Sequence, residues 1–305
     1  MVEHTAENRG VAGSSPALAT SLPVYRRSHR PGAETQVSAI FVDLTDPSLT
    51  IKGWLRYDVV ARLLAQLSGI ESVLEVGAGE GAVGVRLARR YRYVGLELDQ
   101  RSYETARWRF EEARVESILH GGLEVLPHEA TFDLVCALEV LEHCEDDAAT
   151  LLDWASRVRP RGWLLLSVPA FADRFGPSDR KAGHYRRYER EQLAAALGIA
   201  GLEPQSIQLY GFPLGNLLQV AWNTAARIRP ASGSAAERTA ASGRYFQPRE
   251  RLGWLTRGVS APGRVAQRSF IGRGRGDGFI ALARRVSDAT VDQKTPEERR
   301  YTSTS

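Results

Sequence analysis

Three groups of residues in this chain have the types and spacing that chemistry requires. The first is the loop Glu75-Val76-Gly77-Ala78-Gly79-Glu80-Gly81. Alternating glycines let a ligand lie against bare backbone, and a helix that follows offers free N–H groups. The second is Glu97, about twenty residues on, where a carboxylate can accept hydrogen bonds from both ribose hydroxyls. The third is the E-x-x-E-H cluster Glu139, Glu142 and His143, to which the later segment Ala182-Gly183-His184-Tyr185-Arg186-Arg187-Tyr188 adds a second imidazole. Carboxylates and imidazoles together suit proton transfer, or a hard divalent cation such as Mg²⁺, Mn²⁺ or Fe²⁺ rather than a structural zinc.

Each group also has a plainer reading. The glycine loop by itself is a tight turn found in many α/β proteins, and Gly79-x-Gly81-x-x-Gly84 matches the dinucleotide fingerprint letter for letter. His143 can cap a helix, His184 can order a loop, and Arg186 and Arg187 can pair with surface acids instead of clamping an anionic acceptor.

The elements that must position these residues follow from periodicity. Arg56 to Leu67 carries a helical stripe. Then strands and helices alternate: Ser72–Val76, Ala82–Arg90, Tyr93–Leu98, Arg101–Arg114, Glu116–His120, Phe132–Leu138, Asp146–Val158 with Leu151, Leu152 and Trp154 inward, and Trp163–Val168. A helix over Glu189–Leu197 and strands over Gln205–Tyr210 and Phe279–Ala283 complete the set. Such alternation predicts a parallel sheet covered on both faces. Residues 170–188, punctuated by Gly176 and Pro177, read as a lid, and residues 212–276 as a long insertion with a helical start.

The strand-four segment Phe132-Asp133-Leu134-Val135-Cys136-Ala137-Leu138-Glu139-Val140-Leu141-Glu142-His143 and the turn Arg159-Pro160-Arg161-Gly162-Trp163 resemble those of class I S-adenosylmethionine-dependent methyltransferases. With the glycine loop and Glu97, the resemblance runs from about Leu55 to Ala200 and returns at the last strand. It implies a seven-stranded Rossmann-like sheet whose last strand is antiparallel, with helices on both faces. It implies S-adenosyl-L-methionine contacts at Glu75, Gly77, Ala78, Gly79, Gly81, Glu97, Leu98, Gly122, Leu123, Leu138 and Glu139. An acid at Glu75 would repel a pyrophosphate but suit the cofactor's ammonium. Gly122 stands where the family often has an acid near adenine, which leaves Leu123 and backbone groups to hold the base. The E-x-x-E-H letters are similar to the metal site of plant small-RNA 2′-O-methyltransferases and of ubiquinone-pathway O-methyltransferases. That likeness implies a metal set of Glu139, Glu142, His143 and His184, while His143 and His184 are also the candidate catalytic bases.

The expected activity is O-methylation of a small-molecule or lipid-linked acceptor, over which Trp222, Tyr245, Phe246 and Trp254 of the insertion can close. RNA methylation, a non-catalytic scaffold and a nicotinamide oxidoreductase are the alternatives. The net charge of +4 is mild for nucleic acid, and no RNA-binding signature accompanies it. Two cysteines make no disulfide framework, no run is long and apolar enough to span a bilayer, and the expected compartment is the cytoplasm. Residues 1–40 and 286–305 read as disordered tails around a domain of 41–285. Gly13-Ser14-Ser15-Pro16 matches a translated tRNA T-arm, so residues 1–20 read as a mis-started product, with Val24, Val37 or Val42 as the true start. Oligomeric state is left open by the sequence.

Overall fold

The computed structural model describes residues 46–115, 117–228, 234, 238–239 and 253–286. The expected tails, and Tyr245, Phe246, Arg249 and Arg251 of the insertion, lie outside the described residues.

The chain enters helix α1 (Ile51–Leu64) through Thr50, whose hydroxyl accepts the Gly53 N–H at 2.9 Å. That cap starts the helix five residues before the apolar stripe suggests. Strand β1 (Ser72–Val76), helix α2 (Ala82–Ala88), β2 (Arg92–Glu97), α3 (Gln100–Glu112), β3 (Ile118–His120), β4 (Phe132–Leu138), α4 (Asp147–Ser156) and β5 (Val158–Pro169) then alternate as periodicity requires. Helix starts are set by short polar side chains: Asp99 accepts the Ser102 N–H at 2.9 Å, and Asp146 accepts that of Ala149 at 2.9 Å. Residues 170–188 hold a short helix α5 (Pro177–Ala182), and α6 (Arg190–Ile199) follows. After β6 (Leu202–Tyr210) the insertion forms α7 (Leu214–Ile228) and α8 (Gly253–Arg268), and β7 (Gly278–Arg285) closes the sheet.

The strand order is β3-β2-β1-β4-β5-β7-β6, with β7 antiparallel to both neighbours and the other pairs parallel. This is the expected seven-stranded sheet. Its register is pinned at the base by Asp133, whose carboxylate accepts the Glu71 and Ser72 N–H groups at 2.7 and 2.9 Å and pairs with Arg159. One face buries Leu74, Val135, Leu164 and Leu166 under α4 and α6, and the other buries Val73, Leu134, Leu165 and Ile280 under α1 and α3. The order reverses direction between β1 and β4, so the carboxyl ends of those two strands open a crevice.

Two expectations about elements need correction. Leu152 is 51% exposed and does not face the core; Leu151 and Trp154 do. The second half of the insertion, rich in Gly, Ser and Arg and assigned no element from sequence, contains α8. Its outward side is apolar and its buried residues are Ser260, Gly263 and Gln267, so its pattern is the reverse of an ordinary surface helix. Among the described residues no helix is long and apolar enough to cross a membrane.

Candidate active site

A cavity of about 840 Å³ opens at the carboxyl ends of β1, β2 and β4. Its wall takes Glu75, Gly77, Ala78, Gly79, Glu97, Leu98, Gly122, Leu138 and Glu139 from the strand tips and loops, and His143 and His184 from beyond them. Three expected residues do not reach it. Gly81 ends the loop at φ 78°, and a Cβ there would come 2.9 Å from Phe110 and 3.1 Å from Ala106, so it serves the seating of α2 on α3. Leu123 packs against the core instead of the adenine position. Glu142 sits behind the wall, fully buried.

The glycine loop is bound to β2. Gly79 N–H donates to Glu97 Oε2 at 2.7 Å, and Asp99 N–H donates to Oε1 at 2.9 Å. Burial raises the Glu97 pKa while these two donors pull it down, so the carboxylate is anchored and still has lone pairs facing the cavity. At Gly77 a Cβ would meet Val140 at 2.6 Å; at Gly79 it would meet nothing within 4 Å, which leaves the backbone bare to a ligand. Glu75 is buried and accepts the Tyr93 hydroxyl at 2.6 Å. Burial pushes its pKa up to about 7, against the pull of Tyr93 and Arg56. After β3, Gly122 lines the cavity, and its N–H donates to the exposed carboxylate of Glu124 at 2.7 Å.

Past the strand tips the wall becomes richly ionic. Glu139 stands at φ 59°, a conformation side chains seldom adopt. It is held there by Ser167, which donates at 3.0 Å, by Tyr210, which donates at 3.2 Å, and by Arg56 at 3.5 Å. Burial opposes its ionisation, but Arg56, Lys52 and His184 outweigh it and draw the pKa to about 2. Lys52 in turn pairs with Asp277 at 2.7 Å. Helix α1 thus supplies two cations to this wall, which the sequence reading did not anticipate.

The segment after β5 brings His184 to His143: their rings meet edge to face with centroids 4.7 Å apart. His184 Nδ1 lies 3.0 Å from Asp179 Oδ1, and its Nε2 is 4.0 Å from Glu142. Against the cost of burial, His184, Arg187 and the Gly176 N–H hold the Asp179 pKa at about 2. His143 Nδ1 is 3.1 Å from the Thr239 hydroxyl of the insertion, and burial with the nearby His184 depresses its pKa to about 4. Neither carboxylate oxygen of Glu142 has a hydrogen-bond partner among the described residues. Burial and the charge of Glu139 raise its pKa well above the usual range. One ligand atom each from Glu142, His143 and His184 lies within 4.8 Å of the others. Glu139, the fourth expected donor, is outside this group because it is already committed to Arg56, Ser167 and Tyr210.

Of the two readings of Arg186 and Arg187, pairing with acids is the one observed. Arg187 is buried between Asp179 at 2.9 Å and Asp277 at 3.6 Å, and Arg186 pairs with Asp147 at 2.7 Å. Trp222 does line the cavity, with Lys52 5.6 Å from its ring, whereas Trp254 is 69% exposed. Asp179, like Lys52 and Arg56, was missed by sequence reasoning; Gly176-Pro177 opening a helix with an acid at its third position was the available signal.

Residues 53–207, just over half of the chain, match the family model described as "Methyltransferase domain", and the chain belongs to that family. A Mycolicibacterium smegmatis protein named as an S-adenosylmethionine-dependent methyltransferase is 33% identical over 153 residues, 48% of this chain and 58% of its own length. A ubiquinone biosynthesis O-methyltransferase of Paracidovorax citrulli is 36% identical over 110 residues, 34% of this chain and 46% of that protein. The chain therefore spans roughly half the length of these curated relatives. A crystal structure of a candidate sarcosine dimethylglycine methyltransferase from Galdieria sulphuraria superposes with a TM-score of 0.51 at 14% identity, covering 77% of this chain and 87% of that one; this likeness concerns the fold alone.

Proposed function

We propose that the chain is an S-adenosylmethionine-dependent methyltransferase that O-methylates a small-molecule or lipid-linked hydroxyl acceptor. The observation that carries this is the Glu97–Gly79 clasp, a carboxylate and bare backbone that face one crevice and fit the ribose and methionyl parts of the cofactor. Glu75, at the foot of the same loop, suits the ammonium group. The two unpaired cysteines support a reducing compartment such as the cytoplasm.

The bound cofactor supplies a methyl group on a sulfonium, already activated for in-line displacement. The protein's work is to position the acceptor, exclude water and take its proton. His184 is the proposed base. Asp179 is ionised and faces Nδ1, so the proton rests there and Nε2 remains free to accept the acceptor's proton. The imidazolium that results is stabilised by the same carboxylate. Trp222 and the lid cover the acceptor side.

Calorimetry with S-adenosylmethionine tests the core of this reading. Binding in the micromolar range that Glu97→Ala weakens about tenfold or more supports it; absence of binding by the intact chain overturns it.

A second reading is favoured by one observation, the buried and unpartnered carboxylate of Glu142. Such a group is costly unless something compensates it. With His143 and His184 it forms a donor set that fits a divalent cation of the magnesium, manganese or iron kind. Bound there, the ion would lower the pKa of an acceptor hydroxyl. A Mn²⁺-dependent rise in melting temperature that Glu142→Gln removes supports this reading. An unchanged melting curve with and without chelator rules it out and leaves His184 acting without metal.

A further inference from the structure

The two helices of the insertion are built inside out. On α7 the buried residues are Gly215, Gln219 and Ala226, while Leu217, Val220 and Ile228 are exposed. Gln219 donates to the Ser178 hydroxyl at 2.7 Å, which fastens this polar inner side to the lid. On α8 Gln267 is buried, bonded to the Leu55 carbonyl at 2.9 Å, while Trp254, Leu255, Val259 and Val265 are exposed. Of the thirteen exposed large hydrophobic residues described, seven lie on these two helices, so the apolar surface is concentrated there. The helices meet: a Cβ on Gly263 of α8 would come 2.7 Å from Leu214 of α7. A surface helix normally turns its apolar stripe to the core. Here the stripes face solvent, which marks a contact surface.

Charge identifies the partner. Residues 212–276 contain eleven arginines and two glutamates, with no lysine or aspartate, a net charge of +9. The whole chain carries +4, so the rest sums to −5. Arg227, Arg268, Arg273 and Arg275 are exposed on the described part of the segment. Aliphatic rows flanked by arginine fit the interface of a bilayer with anionic headgroups. A second copy of the chain would bring two surfaces of like charge together. RNA would use the arginines but leave leucine, valine and isoleucine wet.

Geometry ties this surface to the cavity. Gln219, Trp222 and Ala225 of α7 line the cavity, and Ala225 is also exposed, so the cavity reaches solvent beside the apolar row. We propose that the outward faces of α7 and α8 dock on an anionic lipid surface, and that the acceptor enters from that surface as a lipid-linked molecule. The second half rests on the methyltransferase reading; the first does not.

Vesicle sedimentation with the full chain tests it, using phosphatidylcholine alone and phosphatidylcholine with 30% phosphatidylglycerol (about the anionic fraction that gives a strong surface potential). The expected result is partition onto the anionic vesicles at least tenfold above the neutral ones, weakened by salt, and reduced at least tenfold by Val220→Glu with Val259→Glu. S-adenosylmethionine binding by that double variant, measured by calorimetry, should be unchanged and reports its folding. Equal partition onto both vesicles, no partition, or a self-association or RNA retention lost in the same variant would overturn the docking surface. Loss of cofactor binding in the intact chain would instead strike the methyltransferase reading and leave the docking result standing.

Discussion

Asp179 and His184 stand five residues apart and face each other across 3.0 Å, because Gly183 at φ 82° ends α5 and turns the chain back on itself. The carboxylate also holds buried Arg187, so one acid both fixes the lid and orients the ring.

Replacing Asp179 with asparagine removes the charge that both duties use, at the one oxygen they share. The proton on Nδ1 loses its anionic partner, and the imidazolium loses its stabilisation. We expect kcat to fall about 10²-fold or more, with KM for the cofactor held. A residue with only a structural role would lower activity only in proportion to the folded fraction.

Glu97→Ala removes the acceptor of the Gly79 and Asp99 N–H groups together with the proposed ribose contact. Hydrogen bonds to a charged partner contribute about 1.5–3 kcal/mol. The dissociation constant for S-adenosylmethionine should rise by about 10- to 100-fold or more, read by calorimetry, while a solved structure of the variant should keep the sheet intact.

Glu75 predicts a pH dependence with a definite sign. Its folded pKa of about 7 lies above the ordinary 4.5, so folding is favoured most below pH 4.5. That contribution is lost as pH rises through 7, a difference of about 3 kcal/mol. Glu75→Gln should flatten the melting temperature between pH 5 and 7 relative to the native chain (roughly the window between the two pKa values). An ammonium beside the carboxylate favours its charged form, so cofactor affinity should increase through pH 7 in the native chain and lose that slope in the variant.

Gly81→Ala should act on stability alone. The added methyl would be strained at φ 78° and pressed against Phe110 and Ala106. We expect a loss of about 2–4 kcal/mol in urea unfolding. Cofactor affinity in the folded fraction should match the native chain, since the position does not reach the cavity.

The sheet and its cofactor end were legible because their signals are local. Glycines that follow an apolar strand, and a carboxylate that ends the next, are set by one βαβ unit, and Gly77, Gly79 and Glu97 stand where that logic puts them. The acceptor side was legible only in part. His143 and His184 were visible as residue types, and their meeting at the lid was expected. Lys52, Arg56 and Asp277 were not, because they come from opposite ends of the chain and share no period. Helix α8 was hidden for a different reason: its buried positions are serine, glycine and glutamine, so a search for an inward apolar stripe passes over it. Arg187 was expected to pair with acids at the surface, but its acids, Asp179 nearby and Asp277 far along the chain, enclose it in the interior.

The insertion leaves and rejoins the sheet at one point, where Asp277 N–H donates to the Tyr210 carbonyl at 2.8 Å. Between these two residues the strands β6 and β7 already pair, so whatever is spliced there begins and ends on a preformed hairpin. The chain can exchange that excursion for a longer, shorter or differently charged one at little entropic cost to the sheet. The crevice at the strand tips and the inserted segment are therefore separable as parts. A transplant between relatives with cuts at positions 211 and 276 should carry acceptor choice with it and leave methyl-donor use behind.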